Sequence, residues 1–277
     1  MRSCNRSKWS VTAGAMLALA ATSYASPDAR AQALSNDWQF HGVIYAYLPE
    51  IGGSSDFPAG TGSSVNISAD KIISNLKFAF MGTLEAQKGR WGMFTDVLYL
   101  DVGGSKSQTR DVSIGGGGLP AGVTSDLDLD IKGSVWTMAG SYRFMATPDA
   151  SADVFAGARL FSIKERLNWK FSGDVGPFVG PGRDGSNEQK VDNWDGIVGV
   201  KGRVALGAGS PWYVPYYADV GTGDSDLTWQ ALAGIGYAFQ NWEIVGAWRY
   251  LDYDLKSGSK INSVTFNGPM IGVAFHW

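Results

Sequence analysis

Along much of the chain, polar and apolar residues alternate one by one, the period of a strand whose two faces meet different surroundings. In the stretch from Leu76 to Gln87, Leu76, Phe78, Phe80, Gly82, Leu84 and Ala86 fall on one face, and Lys77, Ala79, Met81, Thr83, Glu85 and Gln87 on the other. Trp242, Ile244, Gly246, Trp248 and Tyr250 oppose Glu243, Val245, Ala247 and Arg249 in the same way, and Gly196, Val198, Val200, Gly202 and Val204 oppose Asp195, Lys201 and Arg203. Read this way, the pattern predicts ten strands, at roughly 37–48, 71–87, 90–103, 124–145, 151–169, 191–206, 211–220, 226–239, 242–254 and 261–277.

The connections sort by length. Those after the second, fourth, sixth and eighth strands are short, at Lys88-Gly89, 146–150, 207–210 and Gln240-Asn241. Those after the first, third and fifth, about 49–70, 104–123 and 170–190, are long and rich in Gly, Ser and Asp. Long loops on one rim and tight turns on the other predict an all-β fold, a closed antiparallel transmembrane β-barrel of about ten strands with both ends of the chain on the short-turn side. Two features fit this count poorly and leave eight or twelve strands as alternatives. Pro215 falls inside the seventh strand, where a closed barrel has no edge to accommodate it, and the fourth strand loses its alternation near Trp136 and Met138, which predicts a bulge there.

The aromatic residues band at the strand ends. Trp38, Phe40, Trp91, Tyr142, Phe144, Trp212, Tyr237, Phe239, Trp242, Phe275 and Trp277 lie beside the short turns. Tyr45, Tyr47, Tyr99, Trp169, Trp194, Trp229, Tyr250 and Tyr253 lie at the opposite ends. Two such belts are expected where amphipathic rings sit at both membrane interfaces. A soluble sandwich would instead bury its aromatics in mid-strand.

The first segment is expected to stand apart from this domain. Arg2, Arg6 and Lys8 precede an uncharged run from Val11 to Ala21, and Ala-x-Ala sites follow at Ala29-Arg30-Ala31 and Ala31-Gln32-Ala33. That is the pattern of a secretory signal peptide, and the run of about eleven residues is short of the roughly 20 that a spanning helix needs. Residues 1–33 are therefore read as a cleaved signal peptide and 34–277 as the barrel domain, with a cut after Ala25 as the alternative. The single cysteine, Cys4, leaves with the signal, so no disulfide or thiol chemistry is expected. Without residues 1–33, the 23 basic and 26 acidic residues become 19 and 25, a net charge of −6. An acidic chain without a basic cluster is a poor partner for nucleic acid.

The C-terminal third carries a family resemblance. Its residues are Asp195-Gly196-Ile197-Val198-Gly199, Asp219-Val220-Gly221, Leu227-Thr228-Trp229-Gln230, Ala233-Gly234-Ile235-Gly236-Tyr237, Trp248-Arg249-Tyr250-Leu251-Asp252-Tyr253, and the run from Gly268 to Trp277. The chain resembles the OmpA/opacity-like outer-membrane β-barrel proteins of Gram-negative bacteria. The match covers about residues 190–277, and the N-terminal half matches only by pattern. Family barrels often end in Phe, whereas this chain ends in Trp277. The resemblance implies an outer-membrane location with lipid and the barrel-assembly machinery as partners. It implies little about activity, because such barrels host many functions.

Candidate chemistry is sparse. The two histidines, His41 and His276, fall on the lumen face of the first and last strands, which must pair to close the barrel. With no further ligand set visible in the sequence, they read as polar residues near the rim, ahead of a metal or proton site. A barrel hydrolase needs a His beside Asp or Ser in the outer half of the barrel, and neither histidine is there. No catalytic, cofactor or metal residue is therefore expected, and the chain is not read as an enzyme. Asp126, Asp128 and Asp130 alternate on one face without the Gly and further ligands of a calcium loop. They are expected to join Glu85, Asp96, Asp153, Asp195 and Glu243 in a lumen network with Lys77, Arg159, Lys201, Arg203 and Arg249. A cation site at the mouth is the alternative. Ile114-Gly115-Gly116-Gly117-Gly118 lacks the Lys-Ser/Thr of a phosphate loop and reads as a surface tip. Ile271, Val273, Phe275 and Trp277 share the lipid face of the last strand and are read as an assembly signal. The expected role is structural, or surface interaction through the extracellular loops with an unassigned ligand. A narrow pore is the alternative, and an outer-membrane hydrolase stands behind both.

Overall fold

The computed structural model describes residues 34–55, 63–109, 113–114, 117–118, 124–172, 184–256 and 261–277. The expected signal peptide lies outside them. The described elements are β1 (Gln39–Tyr47), β2 (Glu50–Ser55), β3 (Ser63–Ile67), α1 (Ala69–Ser74), β4 (Leu76–Lys88) and β5 (Trp91–Thr109). After them come the short β6 (Ser113–Ile114) and β7 (Gly117–Gly118), and then β8 (Thr124–Ala146), β9 (Ala150–Ser172) and β10 (Asp184–Ala205). The chain ends with β11 (Trp212–Gly223), β12 (Ser225–Ala238), β13 (Trp242–Leu255) and β14 (Ile261–His276).

Ten strands close the barrel. Each of β4, β5 and β8 to β14 pairs antiparallel with its neighbour in sequence, and β1 pairs on one side with β4 and on the other with β14. The closing seam sets His41 opposite His276, Ile44 opposite Val273 and Tyr47 opposite Met270. Beyond Leu48 and Pro49, β2 takes over as the partner of β14, and β3 pairs with β2. The loop expected at 49–70 thus contains a hairpin on the barrel wall. Gly268 makes the handover possible: a Cβ there would stand 2.4 Å from the Leu48 carbonyl oxygen.

The predicted strands hold with three local corrections. The second strand starts at Leu76, not 71, because Ala69–Ser74 is a helical turn; the adjacent Ile72 and Ile73 break the alternation a strand would need. The fourth strand keeps its parity through Trp136 and Met138, both exposed, while Val135 and Thr137 are buried. Its register shift falls lower, between Arg143 and Met145. Pro215 is accommodated without an edge: β11 pairs with β12 up to Tyr213 and again from Tyr216, so the ladder simply skips the residue that has no N–H to give.

The burial pattern is inside out relative to a water-soluble domain. Ile44, Phe80, Leu84, Val198, Val220, Ile235, Trp248 and Ile271 are exposed on the outer wall, while Arg143, Asp153, Arg159, Asp195 and Arg249 are buried within it. An apolar outer face around a polar interior is the arrangement of a barrel solvated by lipid. Among the described residues, no helix is long and apolar enough to cross a membrane; this barrel crosses with strands.

At the short-turn rim, rings meet in chains: Trp38 stacks on Phe40 and Phe40 on Trp277, while Trp212 meets Tyr237 edge-on, Tyr237 lies tilted against Phe239, and Phe239 stacks on Trp242. The opposite belt holds Tyr99 against Phe78, Trp194 against Trp136 and Trp229 against Tyr250. Tyr45, Tyr47 and Tyr253, expected in that belt, are buried in the lumen instead. Their odd positions alternate with lipid-facing Ile44 and Tyr250, so parity sends them inward. The side chain of Trp169 lies outside the described residues.

The barrel is uneven in height. Strands β8, β9 and β10 run 23, 23 and 22 residues, against 12, 14 and 14 for β11, β12 and β13.

Candidate functional site

The lumen gathers most of the charged residues that alternation assigned to it. It is filled in layers from the short-turn end upward. In the lowest layer, the Arg203 guanidinium donates to Glu243 at 2.7 Å, and the Tyr213 hydroxyl donates to the other carboxylate oxygen at 2.5 Å. Arg203 also lies over the Tyr213 ring, 4.9 Å from its centroid. Gly236 lets that ring reach Glu243: a Cβ at 236 would lie 2.2 Å from the ring. Arg143 grips Asp153 with two hydrogen bonds, of 2.7 and 3.1 Å.

The His276 Nε2 stands 3.0 Å from Glu243, and its side chain keeps 27 % exposure. The His41 ring stacks on that of His276, with centroids 4.7 Å apart and planes 15° off parallel. The His41 Nε2 is buried and has no hydrogen-bond partner.

One layer up, the Lys201 ammonium donates to Glu85 at 2.5 Å from across the lumen and sits 4.6 Å over the Phe94 ring. Above it Arg249 donates to Asp96 at 3.0 Å, to Gln230 at 2.8 Å and to the Tyr45 hydroxyl at 2.9 Å. Tyr45 and Thr83 in turn donate to Asp96 at 2.7 and 2.8 Å. Arg159 pairs with Asp219, both fully buried, and donates to Thr137 at 3.2 Å. A cavity of about 250 Å³ remains between these layers, lined by His41, Glu85, Asp96, Lys201, Glu243 and Arg249 among others.

The outer half of the lumen is apolar and packed. Tyr47, Leu98, Val135, Phe161, Leu251 and Tyr253 form its centre, each no more than 2 % exposed. Phe161 stacks on Tyr253 at 4.8 Å. Nearby Asp195 is held by Ser225, whose N–H and hydroxyl each donate to it at 2.8 Å.

The charged network expected from sequence is therefore brought together at Glu85, Asp96, Asp153, Arg159, Asp195, Lys201, Arg203, Glu243 and Arg249. Its placement of Lys77 and Asp130 is corrected. These two pair with each other, and Asp130 shares the outward face of exposed Trp136 and Met138. A register shift between Leu76 and Phe78 turns Lys77 out of the lumen. Beside them Lys132 donates to Asp101 at 2.9 Å, so these charges form a band above the apolar outer wall. The side chains of Asp126 and Asp128 lie outside the described residues. Sequence reasoning missed Arg143 and Asp219, whose parity was readable on either side of the register shift after Arg143 and of Pro215. It also missed Tyr45, Tyr213 and Gln230, uncharged residues that complete the ion pairs.

A closed barrel with an apolar wall, aromatic belts and a salt-bridged interior defines the class: a ten-stranded transmembrane β-barrel. No family model matches the chain, and no curated protein matches it in sequence. Solved structures of similar shape include the outer-membrane protease OmpT of Escherichia coli, at 12 % identity and a TM-score of 0.49, covering 89 % of this chain and 99 % of that one. The translocator domain of the autotransporter NalP from Neisseria meningitidis is similar at 14 % identity and a TM-score of 0.42, with coverage of 86 % and 88 %. Ail, the attachment invasion locus protein of Yersinia pestis, is similar at 13 % identity and a TM-score of 0.33, with coverage of 87 % and 98 %.

Proposed function

We propose that this protein is a sealed outer-membrane barrel whose role, structural or in surface interaction, is exerted by its extracellular strands and loops. The observation that carries the reading is the packed outer half of the lumen, where Tyr47, Phe161, Leu251 and Tyr253 are at most 1 % exposed above an Arg159 that is 0 % exposed. Such packing leaves no room for a column of water, and narrow barrels are filled by their own side chains. What remains available to a partner is the rim that β5 and β8 to β10 carry past the upper aromatic belt. Residues 1–33 supply export, the outer wall meets outer-membrane lipid, and the assembly machinery reads Ile271, Val273, Phe275 and Trp277 on the last strand. Membership of the OmpA/opacity-like barrels belongs to the same proposal, and it assigns no catalytic step to the lumen.

The second reading, a narrow pore, is favoured by the cavity in the lower half, whose lining includes Glu85, Asp96, Lys201, Glu243 and Arg249. Planar-bilayer recording on the refolded protein separates the two. The sealed reading expects no steady current, and a reproducible single-channel step in the unmodified protein would replace it with the pore.

A further inference from the structure

We propose that His41, His276 and Glu243 bind one divalent transition-metal ion at the short-turn end of the lumen. The chain has two histidines in all, and strand closure sets them directly opposite each other, His41 on β1 and His276 on β14. Glu243 arrives from β13. One ligand atom from each residue lies within 4.8 Å of the other two. Donors around a single ion, each roughly 2.0–2.2 Å from it, stand about 3.4 Å apart in a tetrahedron, so side-chain rotations that close the set by up to about 1.4 Å bring the three to coordinating distance.

A second observation points to a ligand. The His41 Nε2 is buried and has no hydrogen-bond partner, and His41, Glu243 and His276 all line the lumen cavity. A buried polar nitrogen without a partner is costly to the fold, and an ion in the plane of the His41 ring would supply the bond it lacks. The surroundings suit this. Arg203 and Tyr213 already hold the two oxygens of Glu243, which is how a ligating carboxylate is oriented by its outer partners. The exposure of His276 gives the ion a path from the mouth. Two imidazoles and one carboxylate suit zinc and its neighbours and leave a fourth position for water on the cavity side. Glu85 and Glu243 offset Lys201 and Arg203 in charge, so the ligands themselves must provide the attraction. The ion would tie β1 to β13 and β14 across the closing seam.

The test uses untagged mature protein refolded in detergent, stripped with a chelator and titrated with Zn²⁺ by calorimetry, with Co²⁺ as an optical probe. One equivalent is expected to bind, with intense tetrahedral Co²⁺ absorption. His41→Ala and His276→Ala are each expected to weaken binding by at least about a hundredfold, more than loss of an outer partner usually costs. Equal binding by wild type and a folded variant would overturn the proposal, as would no uptake by wild type. Histidine-selective isotope labelling of the wild type guards against a variant that fails to fold. Its two imidazole signals are both expected to shift and saturate at one equivalent of Zn²⁺, and a shift of only one or of neither overturns the site.

Discussion

Arg249 on β13 and Asp96 on β5 meet across the lumen at 3.0 Å, with side chains 3 % and 13 % exposed. Neither strand neighbours the other, so the pair braces the barrel through its interior. Removing the guanidinium alone leaves a buried carboxylate with only Tyr45 and Thr83 to donate to it. Arg249→Ala is expected to cost about 3–5 kcal/mol, and Arg249→Met with Asp96→Leu far less, because the double change removes both charges. Urea unfolding in detergent, followed by the heat-dependent shift in gel mobility, measures both. Equal losses in the single and double variants would show that packing dominates the pair.

Phe161 and Tyr253 stack at the centre of the apolar plug. Truncating both to Ala should cost about 3–5 kcal/mol each if the space does not collapse. Bilayer recordings of the double variant are expected to show current steps absent from the wild type. A silent double variant that still inserts would place the seal in the Arg159–Asp219 layer below.

Val198 lies in mid-strand on the exposed outer wall. Val198→Arg should destabilise the inserted barrel by about 2–4 kcal/mol, whereas arginine near an interface costs about 0–1. Asp192 on the same face of β10 already pairs with Lys190 at 2.7 Å and marks the edge of the apolar band. Refolding equilibria in lipid vesicles report the difference, and a tolerated Val198→Arg would contradict the bilayer span assigned to β10.

Gly236 makes room for Tyr213. Gly236→Ala is expected to push the ring off Glu243 and to cost about 1–3 kcal/mol by overpacking. Tyr213→Phe removes only the hydroxyl and should cost about 1 kcal/mol. If the two variants are equal in unfolding midpoint, the ring has space to move and the glycine is there for another reason.

The strand pattern was legible because a single alternation runs through most of the barrel and one face is uniformly apolar. The lumen pairs at Glu85, Asp96, Lys201 and Arg249 followed from the same parity. What escaped were places where parity is interrupted or where position along the strand matters. The shift between Leu76 and Phe78 turned Lys77 outward, and Pro215 obscured the inward run that ends at Asp219. Tyr45, Tyr47 and Tyr253 looked like belt residues because their distance from the rim is right and their face is wrong. The metal reading of the histidines lacked a third ligand in the sequence, since Glu243 joins them only once β13 is laid beside β14.

The difference in strand length gives the molecule a direction within the plane of the bilayer. Strand β9 outruns β12 by nine residues, 23 against 14, which at about 3.3 Å per residue is roughly 30 Å of extra strand. The β8–β10 side therefore stands as a parapet, while the β11–β13 side ends near the lipid headgroups. The outer rim is therefore tall on one side of the barrel and low on the other.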